Sequence, residues 1–151
     1  MSEITLRTAV ADDATAIRDL TRAAYAKWVP LIGREPKPML ADYEAAVRAH
    51  RFDLLYVAGE LAALIETIDE GDRLLVENVA VSPAHQGQGL GTRLMAQAEL
   101  VAHGLGYSRI RLYTNQRFEE NITLYRRLGY GVDGEEPVGD AVRVNMSKGL
   151  G

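Results

Sequence analysis

The stretch "AVSPAHQGQGLGTRLMAQAEL" (residues 80–100) ends an apolar run, passes Pro83 and sets Gly87, Gly89 and Gly91 at every second position before becoming strongly helical. A helix N-terminus offers unpaired N–H groups and the positive end of the helix dipole, and glycines on the approach let an anion reach that backbone. The spacing suits a phosphate group; a tight strand-to-helix turn with no ligand is the alternative. Glu77 interrupts the apolar run "LLVENVAV". Strict alternation puts Glu77 and Asn78 on opposite faces, which forces at least one polar side chain towards an interior face or a cleft. A glutamate so placed is a candidate general base, given burial or a bridging water; an ion pair at the sheet surface is the bland alternative. In "NITLYRRLGY", Tyr125 lies one turn after Asn121 on the same helix face, beside the core pair Leu124 and Leu128. A positioned phenol can protonate a leaving group, or it can simply close the edge of the core.

Several chemistries are excluded. No lysine followed by Ser or Thr comes after the last glycine, so the loop is not a P-loop. A dinucleotide fold wants its glycines after the first strand of a βαβ unit and a carboxylate about 20 residues on. Here the loop follows an antiparallel meander, and the stretch near Tyr107–Arg111 has no carboxylate. The chain has no cysteine and no G-x-S-x-G elbow, so a covalent acyl-enzyme has no support. His50, His85 and His103 are too scattered for a metal site, and none is expected. With 17 basic against 21 acidic residues there is no broad cationic surface for nucleic acid. The N-terminus lacks the blocks of a secretory signal, and "LLYVAGELAALI" is too short to span a bilayer. The expectation is a soluble, cytoplasmic chain of one domain over residues 1–151.

The elements that must position these residues follow from periodicity. Residues 4–9 alternate like a strand, and Asp12 or Asp13 can cap a helix carrying Ile17, Leu20 and Ala24. "WVPLIGREPKPM" is predicted to be an irregular but packed loop, followed by a short helix near 40–50. "DLLYVAGELAALIETI" reads as a hairpin turning at Gly59-Glu60 with type II′ geometry, and residues 73–81 as a third strand leading into the glycine loop. A helix over 90–103, a strand over 109–114, a helix over 119–128 and β-runs near 130–136 and 142–148 complete the order β-α-α-β-β-β-α-β-α-β-β. This predicts an α/β fold with a mixed, mostly antiparallel central sheet and flanking helices.

The run Gln86-Gly87-Gln88-Gly89-Leu90-Gly91 resembles the acyl-CoA pyrophosphate loop of the GNAT superfamily of N-acyltransferases, Gln/Arg-x-x-Gly-x-Gly/Ala between a strand and a helix. "VENVAV" and "NITLYRRLGY" also look like that family's strand before the loop and its later helix. The resemblance implies an N-acetyltransferase that moves an acetyl group from acetyl-CoA directly to a primary amine in a ternary complex. It implies that the backbone through Gly87, Gln88, Gly89, Leu90, Gly91 and Thr92 holds the pyrophosphate, and that the pantetheine lies along Val79 and Val81 as an added strand. It further implies Asn121 on the CoA arm and Tyr125 as acid; Glu77, read from its own strand position, is the base candidate beside them. The 25–39 segment then offers an acceptor pocket of Tyr25, Trp28, Arg34 and Met39, suited to an apolar body and a carboxylate; a lid or homodimer contact is the alternative. A non-catalytic acyl-CoA-binding sensor is the rival function.

Overall fold

Seven strands hydrogen-bond into one sheet in the order β1-β2-β3-β4-β5-β7-β6 in the computed structural model, which describes residues 3–151. In chain order the elements are β1 (Ile4–Thr8), α1 (Ala14–Tyr25), α2 (Val29–Ile32), α3 (Lys37–Leu40), α4 (Tyr43–Ala49), β2 (Arg51–Val57), β3 (Glu60–Asp69), β4 (Leu74–Val81), α5 (Leu90–Gly104), β5 (Arg109–Asn115), α6 (Glu119–Arg127), β6 (Gly131–Val138) and β7 (Ala141–Gly149). Every neighbouring pair is antiparallel except β4 with β5. Apart from α2 and α3, each a single turn, this is the expected order, in the expected mixed sheet.

Helices cover both faces. On one, Leu90, Leu94, Met95, Ala98 and Ala102 of α5 pack on Ala63, Ile65, Leu74, Val76, Ile110 and Leu112. On the other, Ile17, Leu20 and Ala24 of α1 and Tyr43 of α4 cover Phe52, Leu54, Leu64 and Ala80. Each helix buries the stripe that its 3.6-residue spacing defines.

Three local expectations are corrected. The proline-rich loop holds two helical turns, because Pro30 and Pro38 fall in first turns, where a missing N–H costs nothing. The β2–β3 turn centres on Ala58-Gly59, with φ of 49° and 82°, and Glu60 already pairs with Val57. Two positive φ values are the type I′ pattern, whose twist matches the flanking strands. Asp13 does not cap α1. Its carboxylate accepts from Arg7 at 2.7 and 2.9 Å and from the Val10 N–H at 2.8 Å, tying the turn before the helix to β1.

Two departures from regularity in β4 build the site. Glu66 pairs with Asn78 and Thr67 with Val76, so Glu77 has no partner on β3 and forms a β-bulge. The bulge reverses the alternation: Leu74 and Val76 face α5, whereas Ala80 faces α1. Glu77 and Asn78 consequently line one cleft instead of opposite faces. The second departure is that β4 pairs with β5 only over Leu74–Val76, against Ile110–Leu112. Past that point the two strands part, leaving an open edge on β4.

Candidate active site

The open edge is a row of backbone donors and acceptors. Ser82 N–H donates to Ala62 C=O at 2.8 Å, so Val79 and Val81, out of step with it, turn their N–H and C=O groups away from β3 into the gap. The two carbonyls are engaged: Tyr25 Oη donates to Val79 at 3.3 Å, and Gln86 Nε2 to Val81 at 3.1 Å. Gln86 thereby anchors the glycine loop to the strand it leaves. Gly87 and Gly89 have φ of 78° and 77°, a region that favours glycine, and Gly89 precedes α5 directly. Arg93 N–H returns to Gly89 C=O at 3.1 Å, which leaves the N–H groups of Leu90, Gly91 and Thr92 without helical partners.

These groups wall a cleft of about 570 Å³ that also includes Trp28, His85, Asn121 and Tyr125. Among the described residues, the buried Nδ1 of His85 has no hydrogen-bond partner. Gln88, expected in the loop's binding set, is exposed and lines neither cleft. Unpaired amides at a helix N-terminus beside an open strand edge fit a pyrophosphate followed by an amide-bearing arm.

A second cleft of about 340 Å³ lies between β4 and β5, lined in part by Arg34, Glu77, Asn78, Tyr113, Phe118 and Arg143. The two clefts share Tyr25, Val79, Asn121 and Tyr125. Tyr125 therefore stands at their junction, its ring tilted against Tyr130 at 6.1 Å. Burial alone pushes its phenol up to about 12, so it keeps its proton throughout the neutral range.

Glu77 accepts a hydrogen bond from Tyr113 Oη across the gap. Burial, and then the Glu77 carboxylate, push the Tyr113 phenol well above its usual range. Asn78 is buried and bonded at both ends of its amide: the Tyr25 O–H, shared with Val79 C=O, donates to its Oδ1 at 2.8 Å, and its Nδ2 donates to Tyr43 Oη at 3.3 Å. Tyr43 in turn donates to Pro38 C=O at 2.7 Å, so one chain of bonds ties α1, β4, α4 and the α3 turn together. Burial raises both the Tyr25 and Tyr43 phenols. Behind them Glu66, 4% exposed, meets His50 Nδ1 at 2.6 Å. Burial raises the Glu66 pKa against the pull of His50, and the Glu77 charge adds to the rise.

The 25–39 residues divide. Tyr25 reaches both clefts and Arg34 only the second, where it is bonded to Asp140. Trp28 stacks on Phe118 at 4.4 Å and lines the first cleft. Met39 lines neither: the α3 turn buries it, and its carbonyl accepts from Arg22 at 2.7 Å. Tyr113 and Arg143 were not anticipated. In "RIRLYT" the alternation already put Arg111 and Tyr113 opposite Ile110 and Leu112, but not which neighbour they would meet.

A split sheet beside a glycine-led helix supplies the parts that the resemblance implies for an acyl-CoA site. The model of the Acetyltransferase (GNAT) family matches residues 15–130, and the chain belongs to that family. It is 33% identical over 84 residues to the spermidine N(1)-acetyltransferase of Escherichia coli K12, covering 51% of this chain and 43% of that protein, so it spans less than half that relative's length. The PaiA N-acetyltransferase of Thermoplasma acidophilum, solved in complex with coenzyme A, shares the fold at a TM-score of 0.78 and 16% identity, over 98% of this chain and 99% of that one. The ribosomal-protein-S18-alanine N-acetyltransferase of Escherichia coli does so at 0.76 and 20%, over 98% and 94%. No helix among the described residues is long and apolar enough to cross a membrane.

Proposed function

We propose that this chain transfers an acetyl group from acetyl-CoA directly to a primary amine. The observation that carries this reading is the meeting of two clefts at Tyr125, one walled by the glycine loop and the open β4 edge, the other holding Glu77. That the Thermoplasma protein of the same fold was solved in complex with coenzyme A supports a CoA thioester as the donor; the unpaired amides of the first cleft support that cleft as its seat. Val79 and Val81 offer amides to the arm, and residues 87–92 offer theirs to the pyrophosphate.

An alkyl ammonium with a pKa of about 10.4 lies about 3.4 units above neutrality, so presenting the free amine costs roughly 4.6 kcal/mol. Glu77 takes that proton, directly or through a water, while Tyr113 fixes the carboxylate's orientation. As the amine nitrogen bonds to the acetyl carbon and the carbon–sulfur bond breaks, Tyr125 delivers its phenolic proton to the departing sulfur, while the nitrogen's second proton passes to solvent, from which the phenolate is recharged. Its raised pKa guarantees that the proton is present and makes the phenolate a strong base for recharging.

The test is CoA release over a panel of amines, with acetyl-CoA binding followed by thermal shift. At about 100 times Kd the bound state gains roughly 2.7 kcal/mol of stability. Acetyl-CoA is expected to produce this shift, NADH and ATP none, and at least one amine to give turnover. Equal shifts with NADH overturn the donor assignment. A shift without turnover on any amine leaves an acyl-CoA-binding module in place of an enzyme.

A further inference from the structure

We infer that the acceptor carries an anionic carboxylate as well as its amine, and that Arg143 reads it; this deepens the acetyl-transfer reading and rests on it. The second cleft is lined by three cations, Arg34, Lys37 and Arg143, and two carboxylates, Glu35 and Glu77. Two of the five are already neutralised from outside the cleft, since Arg22 holds Glu35 at 2.7 Å and Asp140 holds Arg34. Glu77 has no cationic partner among the described residues and is bonded by the neutral Tyr113 phenol. One end of the cleft is thus built for an ammonium.

The other end is built for an anion. Tyr113 faces Asn145 and Asn115 faces Arg143 in the β5–β7 register, so Tyr113 and Arg143 are diagonal neighbours on one face. The Arg143 guanidinium lies 4.3 Å over the Tyr113 ring. Stacking of this kind holds the planar fork while leaving its edge free. Its one polar partner among the described residues is the Glu136 carboxylate, a loose ion pair at 3.5 Å whose oxygen already accepts from Asn145 Nδ2 at 3.2 Å. Most of the five guanidinium donors therefore remain available within the cleft. Glu77, Tyr113 and Arg143 form a row across β4, β5 and β7, negative at one end and positive at the other.

An acceptor with an amine and a carboxylate matches both ends of that row, the carboxylate being a bidentate partner for arginine. A polyamine matches only one end and sets a second ammonium against Arg143 and Lys37. The charge pattern therefore departs from what a spermidine acceptor asks for.

The test compares matched amines, lysine with cadaverine and phenylalanine with phenethylamine, together with spermidine. Charge-assisted hydrogen bonds of this kind give a preference of roughly 10- to 100-fold in kcat/KM for the carboxylated member, carried by KM. Arg143→Gln is expected to collapse the ratio towards one, and Arg143→Lys, which keeps the charge but not the fork, to retain part of it. Calorimetric titration of lysine and cadaverine into protein saturated with CoA should show the same preference and the same collapse, independently of turnover. Preference for cadaverine or spermidine overturns the inference, as does an unchanged ratio in Arg143→Gln. If no amine is acetylated, the acetyl-transfer reading fails, and the titration still decides whether this cleft selects carboxylates.

Discussion

Tyr125→Phe removes one oxygen from the junction of the two clefts, and the structure fixes what else should change. The ring stays, so its tilted contact with Tyr130 at 6.1 Å is kept. Burial is the sole cause of the raised phenol pKa, with no hydrogen bond contributing, so the substitution breaks no bond to protein. The Tyr125 hydroxyl opens onto the two clefts and has no protein partner among the described residues, so removing it should change stability by less than about 1 kcal/mol. General-acid help is worth about 10²–10⁴-fold, or roughly 3–5 kcal/mol at the transition state. The expected result is a melting temperature within a few degrees of the parent's, an unchanged Kd for acetyl-CoA, and a kcat lower by about two to four powers of ten in single-turnover measurements. The parent should also show no loss from Tyr125 ionisation as pH passes 10, because the folded phenol holds its proton to about 12. A variant that binds normally and turns over within a few-fold of the parent would refute the proton-donor role and leave Tyr125 as a wall.

Glu77→Gln should depress turnover most near neutral pH and least at high pH, where the acceptor is already a free amine; equal loss across the pH profile would point to a structural role for the bulge residue. Gly89→Val places a β-branched side chain at φ 77°, where its Cβ meets no other atom, so the strain of roughly 1–2 kcal/mol is conformational and acts on the loop itself. Its acetyl-CoA thermal shift should vanish, and a full shift would remove the loop from the binding site. Glu70 accepts two bonds from Arg111, each 2.7 Å, and these, followed by Arg73, hold its carboxyl below the usual range. A depressed folded pKa gives stability that is present above the unfolded value of about 4.3 and is lost as pH falls through the folded one. Glu70→Gln should thus cost about 1 kcal/mol at neutral pH in denaturant titrations, and the gap should narrow as acid titrates the folded carboxyl; a gap independent of pH would assign the loss to packing.

The element order was legible because apolar spacing decides it: Ile17, Leu20 and Ala24 repeat at helical intervals and 109–114 alternates like a strand. The turn into α5 was legible because it is made with glycines at positive φ, Gly87 and Gly89, and the residues that free a backbone in this way are few. What failed to show was pairing. Nothing in "LLVENVAV" marks Glu77 as the residue that β3 skips, since a bulge depends on the register of two strands, and the strict alternation read there does not hold past it. Met39 looked like a pocket residue only while its segment was taken for an irregular loop; one turn of helix sends it inward. Tyr113 and Arg143, 30 positions apart along the chain, acquire a shared role only when β5 and β7 lie side by side.

Three residue pairs are all that join β4 to β5, and through them the front meander is joined to the back of the sheet. Such a seam is a weak line in an otherwise continuous ladder, with amides of Val79 and Val81 left bare beside it. Any ligand arm that offers carbonyls to those amides continues the ladder as an interior strand would. Occupancy then repairs an unfinished sheet: the molecule that fills the gap also mends the seam. The protein should resist opening and proteolysis along this line in proportion to how much of its ligand it holds.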